Sequence, residues 1–248
     1  MIDERNIFVF DDNEGVADYA LIKWIEISSQ AIEDRGSFTA ALSGGKTPVE
    51  FYKRLAASRN TLSWDMTYLF LVDERFVPPS HRESNYGLIE RYLLSHVNIS
   101  DANVHRLQTE GITLEESARR YEEDIRSFFR IEGGSVPQFD LIILGIGEDG
   151  HTASLFPGTG LLRVTERLAL PVTAGRVPAH RISLSLPVLT NGRQIMFLVT
   201  GANKARVVKE IMENEECTLP AALVVKKVRG VWFVLDESAG SLLSQRHK

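Results

Sequence analysis

Short, nearly unbroken apolar runs alternate along this chain with longer segments whose apolar residues recur every three or four positions. The run from Met66 to Val72 has the pattern of a strand covered on both faces. Ser37–Leu42 (SFTAAL) and Phe139–Leu144 (FDLIIL) read the same way, and each ends at a polar, glycine-bearing turn. Further strands are expected at Arg167–Val172, Arg181–Leu186, Ile195–Thr200, Ala221–Val225 and Val231–Leu235. Helical spacing predicts a first helix capped by Asn13 and running to Asp34, with Val16, Tyr19, Ala20, Ile22, Lys23 and Ile27 on its apolar side. Other helices are expected from Pro48 to Ala57, Ser84 to Leu94, Leu114 to Arg130 and Ala202 to Met212. Pro48 suits a first helical turn, where its missing N–H costs nothing. Strands and helices in this rhythm imply an α/β fold with a largely parallel sheet flanked by helices. No repeat or linker divides residues 1–248, which are expected to form a single domain, and Glu132–Pro137 reads as a loop.

Composition narrows the partners. Of 248 residues, 44% are hydrophobic and 25% charged, enough for an ordinary packed core. The net charge is −5, and Lys226-Lys227-Val228-Arg229 is too short for the basic stripe of a nucleic-acid binder. No nucleic-acid partner is expected, and any bound anion should be small and held locally. No run approaches the roughly 18 apolar residues of a membrane helix, so no membrane partner is expected either. Met1–Arg5 carries mixed charge with no apolar stretch behind it, which predicts no signal peptide. The one cysteine, Cys217, allows no internal disulfide and fits a reducing, cytoplasmic setting. Nothing in sequence places it beside a cation or at a helix start, so it is expected to be inert.

In parallel sheets, ligands gather beyond the carboxyl ends of the strands, and three such ends carry chemistry here. The first is Ser43-Gly44-Gly45-Lys46-Thr47-Pro48. Its glycines let the backbone approach a ligand, the following helix start offers unpaired N–H groups, and Ser43 and Thr47 add hydroxyls, which together suit a phosphate. A tight turn is the plain alternative. A nucleotide P-loop is excluded because Ala40 stands where that motif needs glycine. The second is Asp73-Glu74-Arg75, three charges at the edge of an apolar strand, expected to face a cleft or the surface because burying all three is costly. There Arg75 would steady a phosphate or an oxyanion and Asp73 would accept from sugar hydroxyls; a solvated turn is the plain alternative, with Ser84 as a helix cap downstream.

The third is Gly145-Ile146-Gly147-Glu148-Asp149-Gly150-His151. It contains G-x-G-x-x-G, yet Glu148 and Asp149 would set negative charge against a pyrophosphate, which rules out a dinucleotide site. What remains is a loop histidine beside a carboxylate. His151 can take a proton from water and return it to a leaving oxygen, with Asp149 orienting its ring. No second histidine stands at ligand spacing (His81, His96, His105, His180 and His247 are scattered), so no metal is expected. Arg181 and Lys204 complete the candidate set. Lys204 lies at a helix start, where an anion would relieve its clash with the helix dipole.

These segments resemble 6-phosphogluconolactonases: Ser43-Gly44-Gly45-x-Thr47-Pro48, Asp73-Glu74-Arg75-x-Val77-Pro78 with His81 and Ser84-Asn85-Tyr86, Gly145-x-Gly147-x-Asp149-Gly150-His151-x-Ala153-Ser154-Leu155-Phe156-Pro157, and Gly201-x-x-Lys204. The resemblance implies cofactor-free hydrolysis of 6-phosphoglucono-1,5-lactone in the oxidative pentose phosphate pathway, and a Rossmann-like α/β fold shared with glucosamine-6-phosphate deaminases. Those deaminases are the alternative reading, but they pair their histidine with a glutamate where this chain has Leu155-Phe156-Pro157. A sugar-phosphate sensor would use the same turn; the Asp149/His151 pair argues against it. The expected roles are then phosphate binding by Ser43, Gly44, Gly45, Thr47, Lys204 and Arg181, hydroxyl and oxyanion contacts by Asp73, Arg75 and Gly147, and catalysis by His151 with Asp149.

Overall fold

The computed structural model describes residues 6–175 and 177–244. Met1–Arg5, where a leader was not expected, and His247 lie outside them. In chain order the strands are β1 (Ile7–Phe10), β2 (Phe38–Leu42), β3 (Thr67–Leu71), β4 (Asp73–Arg75), β5 (Val104–His105), β6 (Leu141–Leu144), β7 (Ala169–Thr173), β8 (His180–Leu184), β9 (Gln194–Val199) and β10 (Val231–Asp236). The helices are α1 (Asn13–Arg35), α2 (Pro48–Ala57), α3 (Asn85–Tyr92), α4 (Leu114–Phe129), α5 (Leu186–Leu189), α6 (Ala205–Glu213), α7 (Pro220–Lys227) and α8 (Glu237–Gly240). Among the described residues, no helix is long and apolar enough to cross a membrane.

Seven strands form one sheet in the order β1-β10-β9-β6-β2-β3-β5, and every neighbouring pair in it is parallel. The expectation of a largely parallel sheet therefore holds, with one addition: β4, β8 and β7 make a separate antiparallel sheet. Val72 is the only residue between β3 and β4. Its N–H donates to Leu42 O at 2.9 Å and its carbonyl accepts from Leu184 N at 2.8 Å, so it belongs to both sheets. From β2 the chain proceeds outward to β3 on one side, and from β6 it proceeds to β9 on the other. Adjacent strands whose connections diverge leave a crevice at their carboxyl ends. That crevice lies over the β2/β6 boundary.

Helix α1 departs from expectation in two ways. Its cap is Asp12, whose Oδ1 accepts from Glu14 N and Gly15 N at 2.9 and 3.0 Å, so Asn13 is already inside the helix. Its buried stripe runs through Val16, Ala17, Ala20, Trp24, Ser28 and Ala31, while Ile22 is 51% exposed. Small residues let the helix approach the sheet, and Trp24 fills the space, edge-on to Phe38 with ring centroids 4.8 Å apart. Ala221–Val225, expected as a strand, is helical within α7. Pro220 fixes φ at its first position, and the sheet position beside β10 is already filled by β1. The strands β1, β4 and β5 are too short for periodicity to reveal; pairing with neighbours creates them.

Candidate active site

The three polar strand ends converge. Residues of the turn after β2 (Ser43 to Pro48), of β4 and its follower α3 (Asp73, Arg75, Asn85), and of the loop after β6 (Gly145, Ile146, Gly147, His151, Ala153) line one cavity of about 220 Å³. Arg181 from β8, the end of β9 (Leu198, Val199, Thr200) and Lys204 close it. Every expected site residue lines this cavity except Asp149, which stands behind the histidine ring. Lys46, Asn85 and Thr200 line it too, and the sequence reading did not assign them. Asn85 was hidden inside a helix-cap reading, and Lys46 inside a turn.

At the first strand end, Ser43 is buried, and its carbonyl accepts from the hydroxyl of the fully buried Tyr52 at 2.5 Å. Burial pushes the Tyr52 phenol up, so it remains a neutral donor and pins the turn from below. Gly45 has φ +96°, which only glycine adopts without strain. Thr47 does not cap α2 with its side chain. Its hydroxyl instead hydrogen-bonds the Thr200 hydroxyl at 3.0 Å, tying the start of α2 to the turn that precedes α6. Lys204 is the residue before α6, which also lacks a side-chain cap. The α2 start, without a side-chain cap, presents N–H groups suited to a small anion, whereas α6 continues a 3-10 turn over Ala202–Lys204 in which Ala205 N donates to Ala202 O.

The second strand end needs a correction. Asp73-Glu74-Arg75 does not face the cavity as a block, because β4 is a strand and its side chains alternate. Asp73 and Arg75 line the cavity; Glu74 points the other way and is 1% exposed. It survives burial by accepting four hydrogen bonds, from Arg75 N, Asn85 N and Tyr86 N at 2.7 Å and from Ser84 Oγ at 3.0 Å. Each bond to a charged group contributes roughly 1.5–3 kcal/mol, comparable in sum to the several kcal/mol of burying one ion. Burial still pushes the Glu74 carboxyl above the usual range. Glu74 thus fastens the start of α3 to β4, and Ser84 caps that helix as expected, accepting from Gly87 N at 3.0 Å.

On the cavity side of the small sheet, Arg75 and Arg181 stand directly opposite in the β4/β8 ladder. Like charges so placed repel. Arg75 Nη1 donates to Glu83 O at 2.8 Å and Arg181 Nε to Pro178 O at 3.2 Å, and the Arg181 guanidinium also lies over the Phe156 ring, 5.6 Å from its centroid. Arg75 Nε is buried without a partner. An anion between the two guanidiniums would offset the repulsion. Asp73 is held by Ser154 Oγ at 2.6 Å and by Asn85 Nδ2 at 3.2 Å.

At the third strand end, His151 Nδ1 lies 2.5 Å from Asp149 Oδ1. The ring is 18% exposed and stacks obliquely on Phe156 at 4.7 Å. It is neither entombed in apolar packing nor remote from the phosphate turn. Gly147 is glycine for a local reason. A Cβ there would lie 1.9 Å from His151 Nδ1 and 2.6 Å from Asp149 Oδ1, so the pair packs onto its bare Cα. The loop closes on itself through Gly147 N to His151 O at 2.8 Å. Among the described residues, no cluster of three or more His, Cys, Asp or Glu could hold a metal ion.

Known proteins carry the same chain plan. The 6-phosphogluconolactonase of Synechocystis sp. is 39% identical over 218 residues, covering 87% of this chain and 88% of the relative. That of Rattus norvegicus is 40% identical over 215 residues, covering 85% and 82%. The solved 6-phosphogluconolactonase of Trypanosoma brucei superposes with a TM-score of 0.86 at 28% identity, over 96% of this chain and 98% of that one. The family model for glucosamine-6-phosphate isomerases/6-phosphogluconolactonase matches residues 11–233, and the chain belongs to that family.

Proposed function

We propose that this chain, acting as one α/β domain in the cytoplasm, hydrolyses 6-phosphoglucono-1,5-lactone to 6-phosphogluconate without metal or cofactor. The observation that carries the reading is the Asp149–His151 pair opening onto the same cavity as the Ser-Gly-Gly turn. The 6-phosphate sits at the turn Ser43–Thr47 with Lys204 and Arg181, and Arg75 serves the lactone carbonyl as oxyanion donor, since the Gly147 N–H is already given to His151 O. Anchoring the phosphate turns a chance encounter into an oriented one. His151 donates Nδ1–H to Asp149, which leaves Nε2 as the basic nitrogen. As water attacks C1, Nε2 takes its proton. The tetrahedral oxyanion then collapses, the bond from C1 to the ring oxygen breaks, and the imidazolium protonates that oxygen. The new carboxylic acid ionises and releases one proton to solution.

That proton supplies the test. Freshly made lactone added to the protein in a pH-stat should call for base at a rate far above spontaneous opening; no acceleration refutes the assignment. The ring of His151 has Phe156 beside it where a deaminase has its glutamate, so glucosamine 6-phosphate should release no ammonia. Lys204→Ala should raise KM about tenfold or more, the worth of one charge-assisted hydrogen bond, and leave kcat nearly unchanged. A fall in kcat at constant KM would move Lys204 from the phosphate to the reacting centre.

A further inference from the structure

Asn85 is the first residue of α3 and is 1% exposed, yet it lines the cavity. Its side-chain amide makes an unusual choice of partners. Nδ2 donates to Asp73 O at 2.9 Å and to Asp73 Oδ1 at 3.2 Å. Oδ1, in contrast, is buried with no hydrogen-bond partner. Flipping the amide would not cure this, since it would turn Oδ1 onto two acceptors and leave both without a donor. Folding alone gives no reason to keep an unpaired buried acceptor, and such groups in native proteins call for an explanation. The explanation lies on the other side of Oδ1. A Cβ built on Gly44 would stand 1.7 Å from Asn85 Oδ1 and 2.2 Å from Asn85 Cγ. The amide is therefore wedged between the Asp73 carboxylate and the bare Cα of Gly44. Unlike Gly45, Gly44 does not occupy the left-handed region, so its backbone would accept alanine and only Asn85 forbids it.

We propose that Asn85 is a positioning residue that locks the Asp73 acceptor and the Ser43–Gly45 turn into one register, and that Gly44 is glycine on its account. Asn85 packs against both groups at the cavity wall and sets the distance between the phosphate end and the hydroxyl-binding end of the cavity. This rests on the lactonase reading of the site, in which both ends hold one substrate. The device joins two connections of the sheet that share no backbone: the turn after β2, and the α3 start that Glu74 fastens to β4.

A double-mutant cycle reads the wedge directly. Gly44→Ala and Asn85→Ala should each lower kcat/KM on lactone about tenfold, a coupling of the size found for residues in contact. The double variant should lose no more than Asn85→Ala alone, because the added methyl occupies the vacated space. The same cycle is read in Kd for 6-phosphogluconate by calorimetry. Asn85→Asp supplies a readout that a structural role would not move. Its carboxylate would face Asp73, with the Glu74 carboxylate on its own backbone N–H and the Arg75 guanidinium on the next strand position. Two such carboxylates share one proton, and the protonated form restores the donor to Asp73. The ratio of variant to wild-type kcat/KM should thus rise as pH falls. Additive losses in the cycle, or a flat ratio with pH, overturn the proposal. Absent turnover by the wild type would instead overturn the lactonase reading, and the calorimetric cycle would still decide the wedge.

Discussion

His151→Ala should bind 6-phosphogluconate as the wild type does and turn over lactone more slowly by a factor on the order of 10²–10⁴, the usual worth of a positioned general base. The separation follows from where the groups sit. The phosphate turn, Lys204 and Arg181 are carried by elements other than the His151 loop, and only Gly147 and its neighbours share that loop. Removing the imidazole therefore deletes the proton acceptor and leaves the anion's donors standing. Pre-steady-state and pH-stat rates, with calorimetric Kd on the same preparation, measure the two quantities. Near-normal turnover would end the general-base role. Loss of binding in step with rate would mean that His151 holds the ligand and does not activate water.

Gly147→Ala should approach the same loss through a residue that bears no functional group. Its methyl would sit 2.1 Å from His151 Cε1 as well as against Nδ1 and Asp149 Oδ1, so the ring must move or the pair must part. A displacement of about 1 Å at a reacting group costs on the order of 10²-fold. Gly147 is not in the left-handed region, so backbone strain adds nothing and the thermal midpoint should hold. The imidazole N–H facing Asp149 Oδ1 offers a second check: its NMR signal in the wild type should shift or vanish in the variant. A fully active Gly147→Ala protein would mean that the ring and carboxylate tolerate separation, and the pair would lose its claim to be the catalytic unit.

Much of this was legible in residues alone. Continuous apolar runs such as Leu69–Val72 and Leu141–Leu144 announce strands covered on both faces, and each ends where a ligand turn begins. Seven of the expected site residues, Ser43, Gly44, Gly45, Thr47, Gly147, Asp149 and His151, sit in the two glycine-rich segments that follow β2 and β6. Other features come from pairing and packing, which one-dimensional patterns do not carry. Strand β4 exists because Asp73, Glu74 and Arg75 pair with Ser183, Ile182 and Arg181. That pairing sends Glu74 inward, against the expectation drawn from three adjacent charges. The Val224-Val225 pair looked like strand and is helix, because the edge it would have joined was taken. Asn85 read as part of a cap, since nothing in its local sequence reveals that Gly44 lies against its amide. The two glycines Gly44 and Gly147 read as places for a ligand's approach, whereas each is spared a methyl by a side chain of the protein itself.

Val72, a single residue with bonds to Leu42 and Leu184, has a consequence for how this chain could change its diet. The Asp73/Arg75 wall cannot swing out or lengthen without tearing a stitch in the parallel core, so it inherits the rigidity of the most protected part of the molecule. Room for a bulkier or longer sugar acid must come from beyond the paired stretch of the small sheet, at the tip between β7 and β8, where Val177 is 94% exposed. Selection for new substrates would then rewrite the hairpin tip while leaving the charged wall untouched.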